Sequence, residues 1–198
     1  MTPGNARLSR LASNYYQQTD LIIAQLKEAG KDIIRLDIGS PDLPPAAAVI
    51  ETMARSATDP THHGYQNFRG PLAYRQAWAR FYQRTFNVQA DPETQILPLM
   101  GSKEGIFNLT QALIEPGDVV LVPDPGYPTY VQSALFAGAE VVSYSLDATR
   151  GYEPDEDSIP EDVRVRARML WMNYPNNPTG ATIELPVLAR LLRFCRKN

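Results

Sequence analysis

The sequence predicts an α/β fold with a largely parallel sheet and helices on its flanks. Three observations carry this. From residue 95 to the end, short apolar runs alternate with amphipathic stretches, the pattern of βαβ units. Val119-Val120-Leu121-Val122 is a continuous β-branched run, as in strands buried on both faces. Pro- and Gly-rich turns follow those runs, as at strand ends that stop sharply.

In order along the chain, residues 14–29 read as a helix with Ile22, Leu26 and Ala29 on one face and Gly30 as its stop. Ile33–Ile38 is a strand candidate that runs into the Pro-rich loop Gly39-Ser40-Pro41-Asp42-Leu43-Pro44-Pro45. A helix over about 46–57 turns Val49, Ile50 and Met53 inward. Pro71 opens a helix to Phe86, in which Trp78 and Phe81 are expected in the core. Ile96–Met100 is a short strand, followed through Gly101-Ser102-Lys103 by a helix with Ile106, Leu109 and Leu113 inward. Strand 119–122, the turn Asp124-Pro125-Gly126-Tyr127-Pro128, helix 129–137 closed by Gly138, and strand 140–146 come next. Residues 147–167 read as a polar surface connection, 168–174 as a strand, and 184–196 as a final helix. Residues 1–45 lack the alternation and are assigned to an arm or part of a small domain, 46–198 to a larger one.

Composition excludes several functions. At 198 residues, 43% hydrophobic and net charge −3, the chain has no basic footprint for nucleic acid. No apolar run approaches a membrane span and no signal peptide opens the sequence. One cysteine and two histidines leave almost nothing for a disulfide or a metal. A cytoplasmic, metal-free protein is expected.

Three stretches carry chemistry. Gly101-Ser102-Lys103, between a strand and a helix, offers backbone N–H groups and a hydroxyl to an anion; Ser102 is alternatively a simple N-cap. The order fits neither a P-loop nor a dinucleotide fingerprint. Tyr127, fixed between Gly126 and Pro128, can stack on a planar ligand or act as a capping hydrophobe. Asn177, in the run Met172-Asn173-Tyr174-Pro175-Asn176-Asn177-Pro178-Thr179-Gly180, offers an amide at a strand end, or is merely a turn residue. Together at the carboxyl ends of strands, they suit a phosphorylated planar heterocycle with an acceptor oxygen.

Gly-Ser-Lys-Glu-Gly, Asp-Pro-Gly-Tyr-Pro-Thr-Tyr and Asn-Tyr-Pro-Asn-Asn-Pro-Thr-Gly, in this order and spacing, resemble the N-terminal half of a class I/II aminotransferase, closest to the LL-diaminopimelate aminotransferase-like branch. The resemblance spans essentially the whole chain. It implies the major domain of a fold type I, pyridoxal-phosphate (PLP)-dependent transferase, incomplete here, with the N-terminal arm of a small domain. It implies transfer of an amino group between an amino acid, LL-diaminopimelate or a similar one, and a 2-oxo acid. By the same resemblance Ser102 and Lys103 contact the cofactor phosphate, Tyr127 stacks on the pyridine ring and Asn177 donates to the ring hydroxyl oxygen. Gly39 lies against the substrate carboxylate, and Tyr65 reaches the phosphate of a neighbouring subunit, which implies a homodimer.

The family's Schiff-base lysine has no counterpart. The four lysines are Lys27, Lys31, Lys103 and Lys197, and only Lys103 falls in a motif, where by the resemblance its charge would meet the phosphate. In the family that lysine, the aspartate on the pyridine nitrogen and the arginine on the substrate carboxylate lie beyond the Asn-Pro-Thr-Gly motif. The chain is therefore expected to be a fragment lacking its catalytic residue; the other reading is a non-catalytic PLP-binding or dimerisation module.

Overall fold

Val119, Val120, Leu121 and Val122 are each 0–1% exposed, and their alternation decides how the sheet is covered. The computed structural model describes residues 15–197; residues 1–14 of the expected arm lie outside them. The described residues fall into two compact units, 15–98 and 99–197.

In the second unit, helix α4 (Ser102–Leu113) precedes strand β1 (Val119–Asp124), α5 (Pro128–Ala137), β2 (Glu140–Ser145), α6 (Glu161–Arg166), β3 (Ala167–Leu170) and α7 (Leu185–Lys197). The strands form one parallel sheet in the order β2-β1-β3. Successive strand residues point to opposite faces, so β1 feeds two cores. Val120 and Val122 pack with Ile114 and with Tyr130, Ala134 and Ala137 of α5. Val119 and Leu121 pack with Tyr144, Leu146, Ile159 and Val163, and with Phe194 of α7. The α/β expectation of a parallel sheet with flanking helices holds, and the reason is this central strand.

Several expectations fail, each for a physical reason. β3 is shorter than 168–174 and carries a bulge: Val119 pairs with Ala167 but Val120 with Met169. The extra residue, Arg168, explains why Ala167 and Leu170 share a face while Met169 takes the other. The 147–167 connection is not simply surface. It folds into two short 3-10 turns and α6, and buries Pro154, Ile159 and Val163 against the sheet. In α4, Leu109 and Leu113 are exposed at 48% and 57%, while Thr110 is fully buried. The α4–α5 contact combines hydroxyl and amide groups with one aromatic pair instead. The Thr110 and Ser133 hydroxyls lie 3.2 Å apart, Gln111 Nε2 donates to the Ser133 carbonyl at 3.0 Å, and Phe107 meets Phe136 edge-on at 5.7 Å. Gly138 does close α5, through its N–H to Leu135 O and that of Ala139 to Ala134 O.

The first unit holds α1 (Tyr15–Glu28), α2 (Ala47–Ala57) and α3 (Leu72–Phe86). Neither expected strand, 33–38 or 96–100, forms. A strand needs a partner, and none lies beside either among the described residues; Ile34 and Leu36 are 82% and 92% exposed. Val49, Ile50 and Met53 of α2 are exposed rather than inward, as are Ile22 and Leu26 of α1. Trp78 and Phe81 are also not core residues. They are 40% and 38% exposed and pack along their own helix with Tyr74, Tyr82 and Phe86, mostly edge-to-face at 5.4–6.4 Å. The buried side chain of α3 is Arg75. Its Nη1 donates to the Pro92 carbonyl and to Glu93 Oε2, which also accepts from Arg69.

Two predictions follow from these placements. Leu121→Ala should lose about 3 kcal/mol of unfolding free energy in a denaturant titration, and Leu109→Ala well under about 1 kcal/mol; equal losses would refute the two-faced core. Second, Arg75, then Arg69, hold the Glu93 carboxyl below the usual carboxylate range. A depressed folded pKa gives stability that is present at neutral pH and lost as pH falls through that value. The melting-temperature gap between wild type and Glu93→Gln should therefore narrow on acidification, and a gap constant from pH 7 to pH 3 would contradict the pairing.

Candidate functional site

Three turns at the carboxyl side of the sheet bear the candidate side chains of the 99–197 unit. The first is the start of α4. Gly101 is its N-cap, with φ +86 and ψ 158, a conformation that is essentially glycine's alone. Ser102 is thus the first helical residue and not the cap. The helix N-terminus carries partial positive charge and amides with no intrahelical acceptor. One carboxylate already sits there: Glu104 Oε2 accepts the Met100 N–H at 2.6 Å.

The second turn follows β1. Tyr127 precedes α5, with Pro128 as first helical residue. Gly126 makes the turn possible by close approach: a Cβ there would lie 2.3 Å from the Pro123 carbonyl oxygen. Tyr127 is half-buried, with the Lys103 Nζ 5.7 Å from its ring centroid, within reach of a cation–π contact. Residues 24 apart in sequence are thereby brought together. Behind it, Tyr127 meets Tyr130 edge-on at 5.8 Å, and Tyr130 stacks on Trp171 at 5.1 Å and 15°.

The third turn follows β3. Asn177 is exposed, and its side-chain amide makes no hydrogen bond among the described residues. Its backbone N–H donates to Asn173 Oδ1 at 3.1 Å. Asn176, 3% exposed, donates from Nδ2 to Thr179 Oγ1 at 3.0 Å and to the Pro125 carbonyl at 3.4 Å, the second a long bond that joins this turn to that of Tyr127. Two phenols support the run. Tyr144 donates to the Trp171 carbonyl at 2.8 Å and Tyr174 to the Tyr152 carbonyl at 2.7 Å. Burial, with the Glu153 charge adding to it, pushes the Tyr174 hydroxyl up to about 12, so it stays a donor at neutral pH. Trp171 Nε1 and Asn176 Oδ1 are buried without a partner among the described residues.

Gly39 and Tyr65 belong to the other unit. A Cβ on Gly39 would meet nothing within 4 Å, and Tyr65 is fully exposed. Among the other lysines, Lys27 lies in α1, Lys31 just beyond it and Lys197 at the end of α7. Asn173 and Asn176 were not singled out from the sequence. The signal was present, as two further amides in the same Pro-rich run. Among the described residues no group of three His, Cys, Asp or Glu side chains could hold a metal, and no helix is long and apolar enough to cross a membrane.

The sequence model of the family Aminotransferase class I and II matches residues 31–198. The chain belongs to the class I and II aminotransferases. It is 42% identical over 190 residues to an LL-diaminopimelate aminotransferase from Moorella thermoacetica, covering 96% of this chain and 49% of that protein. It is 40% identical over 192 residues to one from Dehalococcoides mccartyi, covering 97% and 50%. Among solved structures, substrate-bound BacF from Bacillus subtilis superposes with a TM-score of 0.90 at 36% identity, over 100% of this chain and 50% of that one. An aspartate aminotransferase single mutant from Thermus thermophilus gives 0.84 at 30%, over 100% and 51%. The chain spans about half the length of the curated relatives it matches. The fold type I expectation is thus met, and class I and II aminotransferases depend on PLP.

The donor set of this aminotransferase chain fits that cofactor's chemistry: a helix N-terminus and an ammonium for phosphate, a ring for the heterocycle, and an unengaged amide for a hydroxyl oxygen. The close approach at Gly126 yields a test. Gly126→Ala should cost about 1–3 kcal/mol and alter the near-ultraviolet circular dichroism of the tyrosines; an unchanged melting temperature would show that the turn relaxes freely.

Proposed function

We propose that this chain forms the cofactor-holding side of a PLP-dependent aminotransferase site, for transfer of an amino group between an amino acid and a 2-oxo acid. The observation that carries it is the convergence of Lys103 on Tyr127, beside a turn tied by Asn176 to the Asn177 run. In this reading Ser102, Lys103 and the first amides of α4 hold the phosphate, with the ammonium offsetting the nearby Glu104 carboxylate. Tyr127 covers the ring and Asn177 donates to the ring hydroxyl oxygen. When bound, the cofactor supplies an electron sink for the substrate's α-carbon. The chain's own residues bind and orient it.

The relatives' names support LL-diaminopimelate or a similar amino acid as donor. Gly39 is assigned to the substrate carboxylate, where its open Cβ direction leaves room. The full exposure of Tyr65 suits a side chain that serves a second copy's phosphate in a homodimer. Residues 1–45 are kept as the arm of a small domain. The proton-shuttling lysine is assigned to none of the four in this chain, and the chain is read as the N-terminal portion of the whole enzyme.

Calorimetric titration with pyridoxine 5′-phosphate tests the site directly, because this ligand has no aldehyde and needs no lysine. Saturable binding is expected, weakened on the order of tenfold in Lys103→Met and for unphosphorylated pyridoxine. Equal affinity for the two ligands would sink the phosphate assignment. Borohydride reduction with PLP and peptide mapping should label no single lysine stoichiometrically; full labelling of Lys103 would reassign it.

A further inference from the structure

We propose that Asn173 and Asn176 are positioning residues that hold Asn177 at the site, the first as a hydrogen-bond acceptor and the second as a donor. The inference rests on the reading of Asn177 as the contact to the cofactor's ring hydroxyl.

The Asn177 side chain is exposed and unengaged among the described residues, so what the structure fixes is its starting point, the Cα–Cβ vector that the backbone sets. That backbone is held at its own amide and through the residue before it. Its own N–H is taken by Asn173 Oδ1 at 3.1 Å. The preceding residue, Asn176, is held by four hydrogen bonds. Its N–H donates to Ala181 O at 2.8 Å, its carbonyl accepts from Gly180 N–H at 2.7 Å, and its Nδ2 reaches Thr179 Oγ1 and Pro125 O. Pro125 lies two residues before Tyr127, so Asn176 joins the turn that carries the ring to the turn that carries the amide.

The acceptor and donor roles are fixed by the partners. A backbone N–H can only donate, so Asn173 must present oxygen. The Pro125 carbonyl can only accept, so Asn176 must present nitrogen. Asparagine and aspartate are nearly isosteric, but a carboxylate accepts and does not donate. The two positions therefore respond oppositely to the same substitution. Aspartate keeps the bond at position 173. At 176 it sets oxygen against oxygen and adds a charge at a site 3% exposed.

The test titrates wild type and variants with pyridoxine 5′-phosphate and with its 3-deoxy analogue, which lacks the ring hydroxyl. Asn173→Ala should weaken the first ligand roughly fivefold, the scale of one hydrogen bond, and leave the second unchanged; Asn173→Asp should stay within about twofold of wild type. Asn176→Asp should lose the preference for the hydroxyl-bearing ligand. If that variant does not fold, Thr179→Val, which removes the Oγ1 acceptor, should show the same selective loss, and Thr179→Ser should not. Equal losses for both ligands would mean that these residues only support the fold. Asn173→Asp as weak as Asn173→Ala would also overturn the proposal. Wild type that fails to distinguish the two ligands would instead refute the assignment of Asn177 to the hydroxyl, and this inference with it.

Discussion

Burial of β1 on both faces is the constraint from which the rest of the 99–197 unit takes its place. Val120 and Val122 commit α5 and the end of α4 to one side; Val119 and Leu121 commit the 146–163 connection and α7 to the other. A parallel strand cannot return by a hairpin, so each neighbour of β1 arrives by a crossover with its carboxyl end on the same side. The turns bearing Tyr127 and Asn177 share an edge of the sheet for that reason, because the strands before them are parallel neighbours.

What the sheet delivers, side-chain contacts refine. Tyr130 is part of the core under α5, yet it touches Tyr127 on one side and Trp171 on the other. Tyr144 in β2 fixes the carbonyl of Trp171 from the opposite core. The candidate site is therefore an extension of the packed interior, and its shape inherits the rigidity of close packing.

The sequence was legible where one physical signal dominated. The β-branched run 119–122 had one reading, as a strand buried on both faces, and Gly138 closed α5 where its position indicated. Tyr127 and Asn177 could be placed at turns, and Lys103 at a helix start, because Gly and Pro punctuate their segments. Legibility failed where a partner outside the segment decides. Ile33–Ile38 has strand composition but no neighbouring strand among the described residues. Leu109 and Leu113 follow a helical period, yet beside the Phe107–Phe136 pair the α4–α5 contact is made by Thr110, Gln111 and Ser133, which apolar periodicity does not register. The bulge at Arg168 reverses the face of every residue after it, and nothing in the local composition marks it. Asn173 and Asn176 were hidden by their neighbour: their work is to bind backbone groups, and a sequence does not show which backbone will be near.

The distribution of tryptophan has an optical consequence. The chain carries two: Trp78 in the 15–98 unit, 40% exposed, and Trp171 in the 99–197 unit, with its indole nitrogen buried and its ring stacked on Tyr130. Each unit thus bears its own intrinsic fluorophore, one in a wet environment and one in a drier one. With either tryptophan replaced by phenylalanine, the emission of the other reports a single unit, and the melting of the two can be watched separately in one polypeptide.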